Sequence, residues 1–264
     1  MMYKDTFSNQ ELWFLLSQFS PSTVVGFPDP MLGLLANEVD EIIESVMASL
    51  EQKKKITVRS NGNVQIENSL RKAVHTIAAP CHSILFNYKQ KGDARENVAS
   101  VHISQNYAVL LEEKEDRQFS LQEIDKNDDI FSFFLKPLTP FIFWAPDSGA
   151  VYINQSSIKA MYENIDKGLI EEAHFQISTA RGDQASKLDL ISALQHPEVN
   201  LSLVVFCERN NPKKSFVDGI SIIAGDRYLW ILELIDEKDH MIRATKVTVR
   251  ELKNTVKLRL PTLG

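Results

Sequence analysis

The residues of this 264-residue chain with the widest chemical range meet at one place, Cys81-His82, with His75 a short way upstream. A zinc centre needs three or four such ligands at close spacings of the C-x2–4-C or H-x3–5-H kind. No second pair accompanies these residues, so they read as structural and the expected metal complement is none. Both cysteines, Cys81 and Cys207, fall at the start or in the middle of an apolar strand pattern, where a small buried thiol fits better than a disulfide. Nucleophilic hydrolysis would need Ser, His and an acid brought together, and no G-x-S-x-G elbow is present to do it.

Carboxylates cluster in Glu112-Glu113-Lys114-Glu115-Asp116 and Asp236-Glu237-Lys238-Asp239. Paired carboxylates can do acid–base work or hold a divalent cation, but neighbours at a hairpin tip repel one another into water, and both runs read as solvated turns. Arg181-Gly182-Asp183 reads as a helix-capping turn. Gly225-Asp226-Arg227 reads as a turn and not a phosphate loop, because no G-x-G-x-x-G or G-K-[ST] follows a strand. Catalytic residues are therefore expected to be none, and the chain is expected not to be an enzyme.

Aromatic side chains at strand and connector positions are the remaining unusual feature: Trp144, Phe216, Tyr228 and Trp230. Alternation along a strand puts Tyr228, Trp230 and Leu232 on one face and Leu229, Ile231 and Glu233 on the other, so both faces look apolar. Two readings stay open, a central strand with helices on both sides and a protein-binding face.

Composition narrows the partners. The net charge of −6 gives no basic footprint for nucleic acid at the level of the whole chain. Lys53-Lys54-Lys55 is the local exception, and lysines at a helix end complement its dipole. Residues 1–19 mix Lys4, Asp5, Asn9, Gln10 and Glu11 with apolar residues and lack the layout of a signal peptide. No apolar run approaches the ~20 residues that span a bilayer. A cytoplasmic, reducing location without membrane insertion is expected; the oligomeric state is not fixed by the sequence.

The elements that would position these residues repeat. Val39, Ile42, Ile43, Val46 and Leu50 are answered by Ile158, Met161, Tyr162, Ile165 and Leu169, each 119 residues later (158 − 39 = 119 and 169 − 50 = 119). The first half reads as an apolar helix over 11–19, an amphipathic helix over 31–54, a hairpin at Asn61-Gly62, and a helix carrying Leu70, Val74 and Ile77 that stops near Pro80. Strands follow over 84–89, 98–104, 107–113 and 119–124. The second half replays this order with an apolar helix at 129–135, and then a helix carrying Ile158 to Ile165, capped by Ser156 or Ser157 and stopped by Gly168. A helix carrying Leu188, Ile191 and Leu194 comes next, then strands over 201–208, 216–223, 228–234 and 241–247. A short helix over 250–257 closes the chain without a counterpart in the first half. Strands joined by short polar turns are antiparallel neighbours. The expected fold is α+β, with two pseudo-twofold-related lobes, 1–124 and 125–264, meeting at the polar break 125–129. Each carries helices and a four-stranded meander, the meanders merging edge to edge into one sheet.

This order of elements resembles the EspG chaperones of type VII (ESX) secretion systems. The points of likeness are the Glu11-Leu-Trp-Phe-Leu-Leu16 run, the connector to Pro28, the long helix with its small hairpin, the helix ending before Pro80, and the repeated strand series with a Gly225-Asp226-Arg227-Tyr228 turn. The chain departs from that family in favouring Lys, Asn, Ile and Phe over Ala, Arg and Gly. The resemblance implies a central antiparallel sheet with helical bundles and quasi-twofold symmetry, no cofactor, and a cytosolic role in binding the helical tip of a secretion substrate. It places the partner surface on the sheet and second-lobe helices, with the loop at 90–97 or 209–215. Arg209, Lys213, Phe216, Tyr228 and Trp230 are the residues expected to touch a partner. The alternative function is a regulatory or sensory module that binds a protein or small ligand.

Overall fold

The computed structural model describes residues 3–21, 23–105, 107–124, 130–146, 149–207, 216–236, 238 and 240–259. The lobe break expected at 125–129 lies outside them. Strand β1 (Lys4–Ser8) leads into α1 (Asn9–Ser17) and α2 (Ala36–Gln52), then the hairpin β2 (Ile56–Val58) and β3 (Val64–Ile66), and α3 (Asn68–Ala78). The first meander is β4 (His82–Gln90), β5 (Asn97–Ser104), β6 (Tyr107–Glu113) and β7 (Gln118–Ile124). After α4 (Ile130–Leu135) come β8 (Ala150–Asn154), α5 (Gln155–Asp166), α6 (Ile170–Ser178) and α7 (Gln184–Gln195). The second meander, β9 (Val199–Cys207), β10 (Phe216–Ala224), β11 (Leu229–Asp236) and β12 (Met241–Val247), is followed by α8 (Val249–Arg259). No helix among the described residues is long and apolar enough to cross a membrane.

Ten strands form one antiparallel sheet in the order β1-β7-β6-β5-β4-β9-β10-β11-β12-β8. The meanders merge edge to edge as expected: β4 pairs with β9 from His82 opposite Cys207 to Gln90 opposite Val199. The order reads the same from either end. An outer strand that precedes a helix, β1 or β8, closes each edge by pairing with the last strand of its own meander.

This arrangement corrects the helix correspondence drawn from the 119-residue spacing. By topology α5, which follows edge strand β8, answers α1, which follows edge strand β1; α2 does not answer α5, and Leu169 lies beyond α5 at the start of α6. Helix α4 follows β7 as α8 follows β12, so by topology α8 does have a counterpart, the helix that closes the first meander just beyond the expected boundary at 125.

Local chemistry explains the helix starts. Ser8 and Glu11 form a reciprocal capping box, Ser8 Oγ accepting from the Glu11 N–H at 3.2 Å and the Glu11 carboxylate from the Ser8 N–H at 3.0 Å. The Glu11 carboxylate also accepts from Ser49 Oγ at 2.7 Å and from Lys53 Nζ at 2.6 Å, which ties α1 to α2. Burial pushes its pKa up, but the hydrogen bonds from Lys53, Ser8 and Ser49 outweigh that and hold it below the usual carboxylate range. Helix α2 starts at Ala36 and not at 31, after a turn in which Gly33 takes a φ of +89°. The α5 cap is Asn154, whose Oδ1 accepts from the Ser156 N–H at 2.9 Å, and not Ser156 or Ser157. Asp183 caps α7 through the Ser186 N–H at 2.7 Å, the role read for the Arg181-Gly182-Asp183 turn.

Strand alternation sorts the apolar residues into two faces. Tyr107, Val109, Leu111, Phe119 and Leu121 meet α1, α2, α3 and the β2–β3 hairpin in one core, and Ile223, Trp230, Leu232 and Ala244 meet α5, α6 and α7 in a second. The opposite face, with Ile84, Val101, Leu203, Ile220 and Ile231, forms a third core that runs unbroken across the β4–β9 junction under Phe134 and Leu138, and Leu252 and Val256 of α8. Helices thus cover both faces of the sheet.

Candidate functional site

The two helical layers on the first face leave the junction strands between them half-open. Leu85 and Asn87 on β4, and Asn200, Ser202, Val204 and Phe206 on β9, all half-buried, point to that side. At the end where β4 leaves and β9 enters, the strip opens into a cleft of about 860 Å³. Its floor holds Asn200, Ser202 and Ser221, its roof is Tyr162 of α5, and its wall is the β4–β5 loop 91–96. Burial pushes the Tyr162 hydroxyl up to about 12, opposed by its hydrogen bond with Asn200. Asp93 shapes the wall by accepting from the Gln90 N–H and from Asn97 Nδ2, both at 3.0 Å. Lys91 is held at 2.7 Å by Glu198. Lys89 and Arg95 are exposed and make no ion pair among the described residues. Asn87, paired with Ser202 in the ladder, keeps a buried Oδ1 with no hydrogen-bond partner. Groups of this kind bind polar or charged surface; no nucleophile–base pair stands among them.

The equivalent position in the first lobe is sealed. Ser202 pairs with Ser221 across β9 and β10, and Ser83 pairs with His102 across β4 and β5, 119 residues earlier at each position (202 − 83 = 119 and 221 − 102 = 119). His102 is fully buried between Ser83 Oγ, 3.1 Å from Nδ1, and Ser100 Oγ, 2.9 Å from Nε2. Burial pushes its pKa down to about 4, opposed by a backbone hydrogen bond at Val25. Gly26, with φ +76°, lies directly over Ser100.

The second-lobe helices carry exposed apolar side chains of their own: Phe175 is 67% exposed on α6, and Ile170 and Leu188 are also exposed. Of the residues expected from the sequence, Trp230 has no exposed surface and packs in the second-lobe core, so the binding-face alternative does not hold for it. Tyr228 is half-buried, with Lys246 Nζ 4.1 Å from its ring centre and Trp144 edge-on at 6.1 Å. Phe216 opens β10 opposite Cys207, while Arg209 and Lys213 lie outside the described residues. Among the described residues no cluster of three His, Cys, Asp or Glu could hold a metal ion. Sequence reasoning reached the 91–96 loop but missed Ser202 and Ser221. The available signal was Asn200 and Ser202 alternating with Val199, Leu201 and Leu203, which marks one face of β9 as polar.

No protein-family model and no curated protein matches the chain. A solved structure does, that of the Mycobacterium tuberculosis type VII secretion system chaperone EspG5 in complex with the PE25–PPE41 dimer, over 99% of this chain and 97% of EspG5. The TM-score is 0.66 and the sequence identity 12%. The chain is similar to EspG5 in fold. Because the match spans nearly the whole of both chains, the likeness in fold extends to both meanders and their helices.

Proposed function

We propose that the chain is a non-enzymatic cytoplasmic chaperone or adaptor that holds a helical protein partner, in the manner of a type VII secretion chaperone, across the cleft between its helical layers. The observation that carries this reading is the open, polar strip at the β4–β9 junction, walled by the 91–96 loop and roofed by Tyr162 of α5, in a molecule whose α6 and α7 also expose apolar side chains. The likeness in fold to a chaperone captured with a protein dimer supports it. Exposed apolar residues beside a polar, charged rim are what protein interfaces use. Part of the same proposal is that 1–124 and 125–264 descend from an internal duplication, a reading supported by the palindromic strand order.

A small-ligand regulatory module is the second reading, favoured by a cleft volume within the small-molecule range. Its lining is mostly polar and charged, with Ala94, Tyr162 and Pro197 as the apolar part, where small-molecule sites are predominantly apolar.

Affinity capture from the native cell, with mass spectrometry of what is retained, tests the proposal. The wild-type chain should retain a small helical protein, and Lys89→Glu with Arg95→Glu should reduce its recovery. A folded wild-type chain that enriches no such protein, or a double variant that retains it undiminished, overturns the proposal.

A further inference from the structure

On the face opposite the cleft, the two lobes differ in how far their closing helix runs. Helix α8 has eleven residues, packs Leu252 and Val256 into the shared core, and ends with Arg259 on Asp218 at 2.5 Å and on Glu233 at 2.6 Å. Its counterpart α4 has six residues. Phe133 stands where Leu252 stands (252 − 133 = 119), and Pro137 stands where Val256 does (256 − 137 = 119). Pro137 removes a backbone donor and disfavours a preceding α-helical turn, so the α-helix ends at Leu135 and passes into a single 3-10 turn over Lys136–Leu138, and Pro140 stands where the terminal arginine stands. The strands beneath are left with a groove of about 450 Å³. Its floor includes Tyr88, Val101 and Leu110 and its wall includes Phe133. Lys4, Lys114 and Lys136 form the rim with Glu112. Glu112 is paired with Lys114 at 2.5 Å, while Lys4 and Lys136 are exposed and make no ion pair among the described residues.

We infer that this groove docks an amphipathic helix of a partner protein whose apolar face is flanked by acidic residues, completing on the first lobe what α8 completes on the second. Two observations select that occupant. The equivalent ground on the second lobe is covered by a helix, which shows what shape the sheet accepts there, and the surplus of lysines on the rim asks for negative charge. The basic α8, with Arg250, Lys253, Lys257 and Arg259 against Glu251, has the wrong charge for this rim, so a second copy's α8 does not fit it. This inference does not depend on the partner proposed for the cleft.

The test uses the full chain and two synthetic labelled 15-residue helical peptides with the same leucine face, one flanked by glutamates and one by lysines, read by fluorescence anisotropy. The glutamate peptide should bind saturably, and the lysine peptide at least roughly tenfold more weakly. Lys4→Glu with Lys136→Glu should reverse that preference, each tenfold step corresponding to about 1.4 kcal/mol. Phe175→Glu, on the other face of the molecule, should change neither. The inference is overturned if neither peptide binds, if both bind alike, or if the double reversal changes nothing. It is overturned equally by a wild-type dimer that the reversal dissociates in sedimentation, which would give the groove to a second copy. Displacement of the peptide by decanoate at lower concentration than any acidic peptide would give it to a small amphiphile.

Discussion

His102 is a titratable group held neutral inside a sheet, and its consequence for stability has a definite sign. Its folded pKa of about 4 lies below the ordinary imidazole value near 6.5, so the unfolded chain takes up the proton first as pH falls. The stabilisation from keeping this ring neutral is complete above pH 6.5 and is lost as pH drops from 6.5 towards 4, by about 3 kcal/mol. His102→Gln can still hydrogen-bond Ser83 and Ser100 but cannot titrate. Urea unfolding of the two proteins between pH 7 and pH 4 should show the wild type losing about 3 kcal/mol more than the variant. Parallel profiles would show that the ring reaches water. Glu11 and other carboxylates also lose stabilisation in acid, which is why the difference between the proteins, and not either curve alone, reports on His102.

At the scale of elements, the connector from α1 to α2 works as a lid over that histidine, and Gly26 is its point of contact. A Cβ at Gly26 would lie 2.7 Å from Ser100 Oγ and 2.9 Å from Ser100 Cβ, at a φ of +76° that side chains rarely adopt. Gly26→Ala should therefore destabilise the chain by about 2–4 kcal/mol, the sum of a left-handed backbone cost and an overpacked core. Adding Ser100→Gly should recover the packing share and leave the backbone share, which thermal unfolding of the single and double variants would separate. A Gly26→Ala protein as stable as the wild type would mean the connector is not seated on β5. The elements differed in how plainly the sequence announced them. The eight meander strands were legible because apolar runs are punctuated there by short polar turns. The edge strands β1 and β8 were not, having only five residues each and alternating exposure. Helix α6 was hidden because Gly168 marks a stop and Leu169 supplies no side-chain cap. The cleft could not be read at all as a cavity, since its lining comes from three separate stretches, 89–96, Tyr162 and 197–221, that only the β4–β9 pairing and the packing of α5 bring together.

For the whole molecule, the decisive feature is that the lobes share one core as well as one ladder. Apolar residues on β4 and β5 and those on β9 and β10 form a single cluster under α4 and α8, and nine ladder positions join β4 to β9. Cutting the chain between the lobes would expose both the apolar face and the full hydrogen-bonding edge of β4, which is the template on which strands of other chains pair. The intact chain should therefore unfold in a single cooperative transition, with circular dichroism and tryptophan fluorescence coinciding. A separate fragment 1–124 should not persist as a soluble monomer. Because the strand order is palindromic about the β4–β9 contact, its most accessible escape is pairing of two β4 edges antiparallel, giving a ten-stranded homodimer from two copies of β1 and β4–β7. Sedimentation of fragment 1–124 alone should show dimers or larger species, and addition of fragment 125–264 should convert them to a one-to-one complex. A monomeric, folded 1–124 would mean that the junction is an interface between independent units, and that the shared core contributes little to holding either lobe together.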